Sequence, residues 1–202
     1  AYFEGVHYSG IANFEGASSD FREKIDSKKI LNDIKNGMAV EYNNVIIKGD
    51  LVLNEGFHTR SSINITNSEI QGIVKFSNIV FQKSVSFQST NFANDAYFTW
   101  AKFDESAWFE WSRFSGDVDF EEVQFSGDAS FRGAQFNDDA SFRGAQFSDD
   151  ADFEEAQFND DPNFEGVQYS GIVNFKGSSI DFREGINASD IQSNILQSVG
   201  LE

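Results

Sequence analysis

The chain has 202 residues, room for one large domain or two small ones, and carries a formal charge of −18 from 33 acidic and 15 basic side chains. That charge speaks against nucleic acid as a partner, since phosphate attracts the opposite sign. Absent cysteine excludes disulfides and thiolate metal sites, and no apolar run is long enough to span a membrane.

Residues 1–23 (AYFEGVHYSGIANFEGASSDFRE) return near the end as 162–184 (PNFEGVQYSGIVNFKGSSIDFRE), with 16 of 23 positions identical at an offset of 161. Residues 1–24 are therefore expected to be the terminal coil of a preceding repeat block. The opening Ala in place of Met suits a processed product or an excised segment. Residues 25–39 should form a short helical cap or spacer, with Ser27 as N-cap, Ile30, Leu31 and Ile34 on one face, and Gly37 as C-cap. The β-structure is expected over 40–184, opening with Val45–Leu53. Residues 54–62 (NEGFHTRSS) look like a loop thrown out before a regular beat starts at Ile65 and Ile70. Residues 185–202 would begin the next helical piece.

From Phe76 the aromatic residues keep time. They fall at Phe76, Phe81, Phe87, Phe92, Phe98, Phe103, Phe109, Phe114 and Phe120, and continue in the same way to Phe175 and Ile180. Spacings of five and six alternate, giving an eleven-residue period. Two residues before most of them sits Ala, Val or Ile, as at Ala129, Ala134, Ala140 and Val118. A helix repeats near 3.6 and a strand at 2, so neither explains this beat. An eleven-residue coiled coil would fit the period, but Gly, Asn, Asp and Ser are too frequent for a helix. A chain that turns a corner every five or six residues does fit, with the small residue and the Phe inside. The composition agrees: 23 Phe beside one Met and one Pro is a core made from one repeated unit.

Segments such as ASFRG at 129–133 and AQFND at 134–138 resemble the pentapeptide-repeat family over residues 70–183. The resemblance implies an all-β fold, a right-handed quadrilateral parallel β-helix. Here every second unit has an extra residue, so a coil needs about 22 residues, with an outward bulge expected at 126–128, 137–139 and 148–150. Five such coils stacked at about 4.8 Å would make a rod segment about 24 Å long.

Residues 115–161 hold fourteen acids and only Arg132 and Arg143. With 22 residues per coil, Asp117, Asp139 and Asp161 stack on one corner, and Asp128 and Asp150 on the opposite one. Such columns suit calcium, which favours clustered oxygen ligands, or form a solvated acidic face. No other cofactor is indicated. Tyr97, Trp100, Trp108 and Trp111 fall at outward positions, as a contact surface for protein or sugar would place them, or else as packing against residues 54–62. His7 and His58 stand apart, outside any catalytic motif, so no enzyme is expected. The sequons at Asn64 and Asn187 are compatible with export.

These features point to a structural module that associates with itself end to end through β-helix tips, at the cell surface or outside it, with the cytoplasm as the alternative. The resemblance also implies a rival: an acidic DNA mimic that binds a type II topoisomerase.

Overall fold

The computed structural model describes residues 20–179; the expectations for 1–19 and 180–202, including His7, Asn187 and most of the duplicated segments, lie outside them. Every strand pair is parallel, and the strands form four sheets. The chain visits these four faces in turn, so the molecule is a four-sided β-solenoid.

The first face stacks seven strands, beginning Glu23–Asp26, Val45–Lys48, Glu69–Ile70 and Asn91–Phe92. The second carries Leu51–Val52, Val74–Lys75, Ala96–Tyr97, Val118–Asp119 and Ala140–Ser141, continued by a bridge from Ser141 to Asn163. The third runs from His58–Thr59 through Val80–Phe81 to Gln168–Tyr169. The fourth runs from Val40–Asn43 and Ile63–Thr66 to Val173–Asn174. Partners such as Val85 and Ala107, or Phe103 and Phe125, stand 22 residues apart. Eleven residues therefore make half a coil, and a residue and its eleventh successor look out in opposite directions.

Each inward Phe lies on the one from the neighbouring coil. Phe98 stacks on Phe120 at 4.8 Å, Phe114 on Phe136 at 5.1 Å and Phe136 on Phe158 at 4.5 Å. Rings of the second and fourth faces meet across the axis edge to face, as Phe120 meets Phe131 at 5.2 Å and 78°. The small column residues Ala96, Ala107, Ala129 and Ala151 leave room for these rings and are themselves buried. Ring columns thus fill the square from four sides.

The corners come in two kinds. After the second and fourth faces the chain makes a tight turn, closed by bonds such as Val123 N–H to Phe120 O and Ala134 N–H to Phe131 O. One residue of each turn is left-handed: Gly56, Asn78, Trp100, Glu122, Gly144 and Gly166 at one corner, and Asn44, Asn67, Ser89, Trp111, Gly133, Glu155 and Gly177 at the other. The remaining corners are open bends, and these fall at the expected bulges 126–128, 137–139 and 148–150.

The helix, Ser27–Lys35, occupies the place of the second and third faces in the first coil. It leaves the strand Glu23–Asp26 on the first face, crosses the end of the core, and returns to Val40–Asn43 on the fourth. Strands therefore flank the helix, ahead of the expected opening at Val45. Ile30 and Ile34 are buried beneath it, and it packs on Leu51–Val52. Its N-cap is Asp26, whose carboxylate accepts from Lys28 N–H at 2.9 Å, and not Ser27 as expected. Ser27 is buried close to Gly49, so its hydroxyl is turned into the fold. At the other end the C-cap is Asn36, not Gly37 as expected; Gly37 follows it at φ +70°, and the bonds Gly37 N–H to Ile34 O and Met38 N–H to Asp33 O close the helix.

Residues 54–62 do not form a projecting loop. They contain the third-face strand His58–Thr59, with Thr59 buried where Phe stands in later coils and Ser61 buried at the corner that follows. Leu51 pairs 23 residues ahead and His58 22, so one inserted residue between them accounts for the broken beat. Ser61 Oγ donates to Ile34 O at 3.3 Å and ties the helix to this coil.

Candidate functional site

With the interior filled by rings, the corners and outward rows are what remains for contact. The four aromatic residues singled out by position divide between two opposite faces. Tyr97 lies on the second face between Lys75 and Asp119, with Trp100 at the following tight turn. Trp108 lies on the fourth face between Ser86 and Ser130, with Trp111 at its tight turn. Each pair is the other displaced by eleven residues, hence by half a coil.

Trp100 and Trp111 are 64% and 55% exposed, with φ of 56° and 55°. Bulky side chains rarely adopt that backbone region, and at the same corners other coils use Gly, Asn, Ser or Glu. The indole of Trp111 covers Gly133 in the next coil: a Cβ there would lie 2.2–2.8 Å from ring carbons. Gly133, at φ +63°, is needed both for the turn and for the ring. Tyr97 donates its hydroxyl proton to Asp95 at 3.0 Å, and that bond, with burial next, raises its pKa.

Two acids of the tight turns are paired across coils: Arg143 donates to both carboxylate oxygens of Glu121 at 3.0 and 2.8 Å, and Arg132 meets Glu154 at 3.0 Å. The Arg143 guanidinium lowers the pKa of Glu121. At the open bends the carboxylates gather instead. Oxygens of Asp128, Asp149 and Asp150 lie within 4.8 Å of one another, as do those of Asp138, Asp139 and Asp160. Asp139 and Asp150 thus find Asp138, Asp160 and Asp149 as neighbours, which the sequence signals only through doublets such as Asp138-Asp139 and Asp149-Asp150. Asp117, Asp139 and Asp161 together line a shallow groove of about 360 Å³ on the second face with Tyr97, Asp119 and Glu121. Burial, then the charges of Asp138, Asp95 and Asp139, raise the pKa of Asp117.

A second groove, of about 500 Å³, lies on the fourth face between Asn64 and Trp108, over Ser86. His58 is exposed on the third face.

A family model for pentapeptide repeats matches this chain in nine copies, over residues 76–124, 87–135, 112–157 and 131–179. The chain belongs to the pentapeptide-repeat family. Its matched span coincides with the four Phe columns, and the helix and the coil of Thr59 lie ahead of it. No curated protein and no solved structure matches the chain. In this pentapeptide-repeat solenoid no described helix is long and apolar enough to cross a membrane.

Proposed function

We propose that the chain is a non-catalytic structural module of a tandem-repeat β-solenoid, joined end to end with like blocks into a rod at the cell surface. The observation that carries this reading is the duplicated segment. Its second copy folds, over 162–179, as a coil of the same columns, with Phe175 stacked on Phe153 at 4.8 Å. The first copy precedes the helix in sequence, and the strand Glu23–Asp26 that follows it already lies on the first face ahead of the helix. On this reading the helix is an insert at a junction between blocks. Open solenoid ends expose unpaired backbone, which favours such stacking.

A two-block fusion tests this by negative-stain electron microscopy and small-angle scattering. One straight rod is expected, about twice the length of the single block. Two separately tumbling beads would overturn it. The acidic bends supply the side-to-side chemistry: they hold rods apart, and calcium shared between their carboxylates links them. Calorimetric titration with calcium at physiological salt checks the second half; no heat and no change in melting temperature removes it. The acidic flanks also suit mimicry of DNA toward a type II topoisomerase, and a gyrase supercoiling assay separates that reading from the first.

A further inference from the structure

We propose that the fourth face binds a neutral or N-acetylated oligosaccharide in the groove walled by Trp108. Asn64, Ser86 and Trp108 are successive partners in the ladder. Ser86 is small between two larger neighbours, which notches the face. The groove crosses three coils, from Ser62 and Asn64 to Trp108 and Glu110, about 10 Å along the rod. Its volume of about 500 Å³ falls within the range of small-ligand sites.

Three observations give the ligand its chemistry. The first is an orphan group: Ser86 Oγ is shielded from solvent and has no hydrogen-bond partner among the described residues. Buried hydroxyls are ordinarily satisfied, so this one leaves a polar group without a protein partner in the floor of the notch. The second is the lining. Ser62, Asn64, Ser84, Gln88 and Glu110 surround one aromatic wall. Glu110 is held in place by Gln88 and by Ser130 at 3.0 Å, and Asn64 by Glu41 at 2.9 Å. A sugar ring has an apolar C–H face for an indole and a rim of hydroxyls for amides and carboxylates. A protein hot spot would want a drier pocket.

The third is charge: the net charge of −18 and the Glu110 carboxylate disfavour anionic sugars.

The experiment is isothermal titration calorimetry of the whole chain with cellohexaose, chitohexaose and mannohexaose. Saturable heat is expected with at least one. Trp108→Ala should weaken it at least about tenfold, and Trp100→Ala, on the opposite face, should leave it within about twofold. Ser86→Val fills the notch and removes the hydroxyl without touching the inward columns, and it too should weaken binding about tenfold. It decides the matter if Trp108→Ala does not fold. No saturable heat with any of the three sugars overturns the proposal, and so does equal weakening by Trp100→Ala and Trp108→Ala.

Discussion

Replacing Phe120 by Ala measures what the ring columns contribute. Phe120 is fully buried, with Phe98 and Phe142 stacked on its two faces at 4.8 and 5.1 Å. Phe109, Phe131 and Phe114 meet it edge to face at 5.4, 5.2 and 6.2 Å. Removing such a ring ordinarily costs about 3–5 kcal/mol, depending on how far the hole can close. Here the neighbours are pinned: Phe98 N–H is bonded to Asp119 O, and Phe120 N–H to Ser141 O, each at 2.7 Å. A ring cannot slide along the axis without breaking its own ladder. The cost should therefore fall in the upper part of that range, about 4–5 kcal/mol. Phe120→Leu, which keeps most of the volume, should cost under about 1.5 kcal/mol, and the exposed control Gln124→Ala under about 0.5 kcal/mol. Guanidinium unfolding, followed by far-ultraviolet circular dichroism and by fluorescence of the three Trp, reads all three. A loss below about 2 kcal/mol for Phe120→Ala would falsify the reasoning, because it would mean the coils move together to heal the gap.

Other consequences follow from the corners and the helix. Gly133→Ala should destabilise by more than the roughly 1–2 kcal/mol of a left-handed Ala, because its Cβ meets the Trp111 ring. In a Trp111→Gly background the excess should vanish, and simple additivity of the two changes would refute the contact. Asp26→Ala should cost about 1 kcal/mol as a lost N-cap, measured by thermal melting; no loss would return the cap to another residue. Asp117 has a raised pKa, so the folded chain holds that proton more tightly than the unfolded one. Its unfavourable charge acts above the folded pKa and disappears below the unfolded one. Asp117→Asn should therefore raise the melting temperature at pH 7 by about 1–3 °C and leave it unchanged at pH 3. A gain that persists at pH 3 would assign the effect to something other than charge.

Much of the fold was legible because Phe has a single task here. Alternating gaps of five and six count out the sides of a coil, and the buried columns from Phe76 to Phe175 fall where that count places them. The count failed where a column changes residue. Thr59 stands in for Phe, and one inserted residue shifts the phase just before it, so a coil side reads as a loop. Asp26 and Ser27 are equally good caps by type, and only the burial of Ser27 beside Gly49 chooses between them. The outward positions of Tyr97, Trp100, Trp108 and Trp111 could be read from the register. Their separation onto opposite faces follows from eleven residues being half a coil. The left-handed corners were hidden, since Trp100, Trp111, Glu122 and Glu155 lack the Gly or Asn that advertises such a turn. The groove over Ser86 was hidden too, because it arises from a difference in size between residues 22 apart.

The half-coil equivalence has a bearing on how an array of this kind can lengthen. Adding or deleting eleven residues keeps every ring over a ring, so the interior does not register the change. Everything beyond the edit is nevertheless turned through half a revolution, and an outward side chain such as Trp108 would emerge on the far side of the shaft. Gain or loss by 22 preserves the heading of each flank. Length can therefore drift freely in the smaller step only until a flank acquires a task, after which the larger step becomes the unit of change.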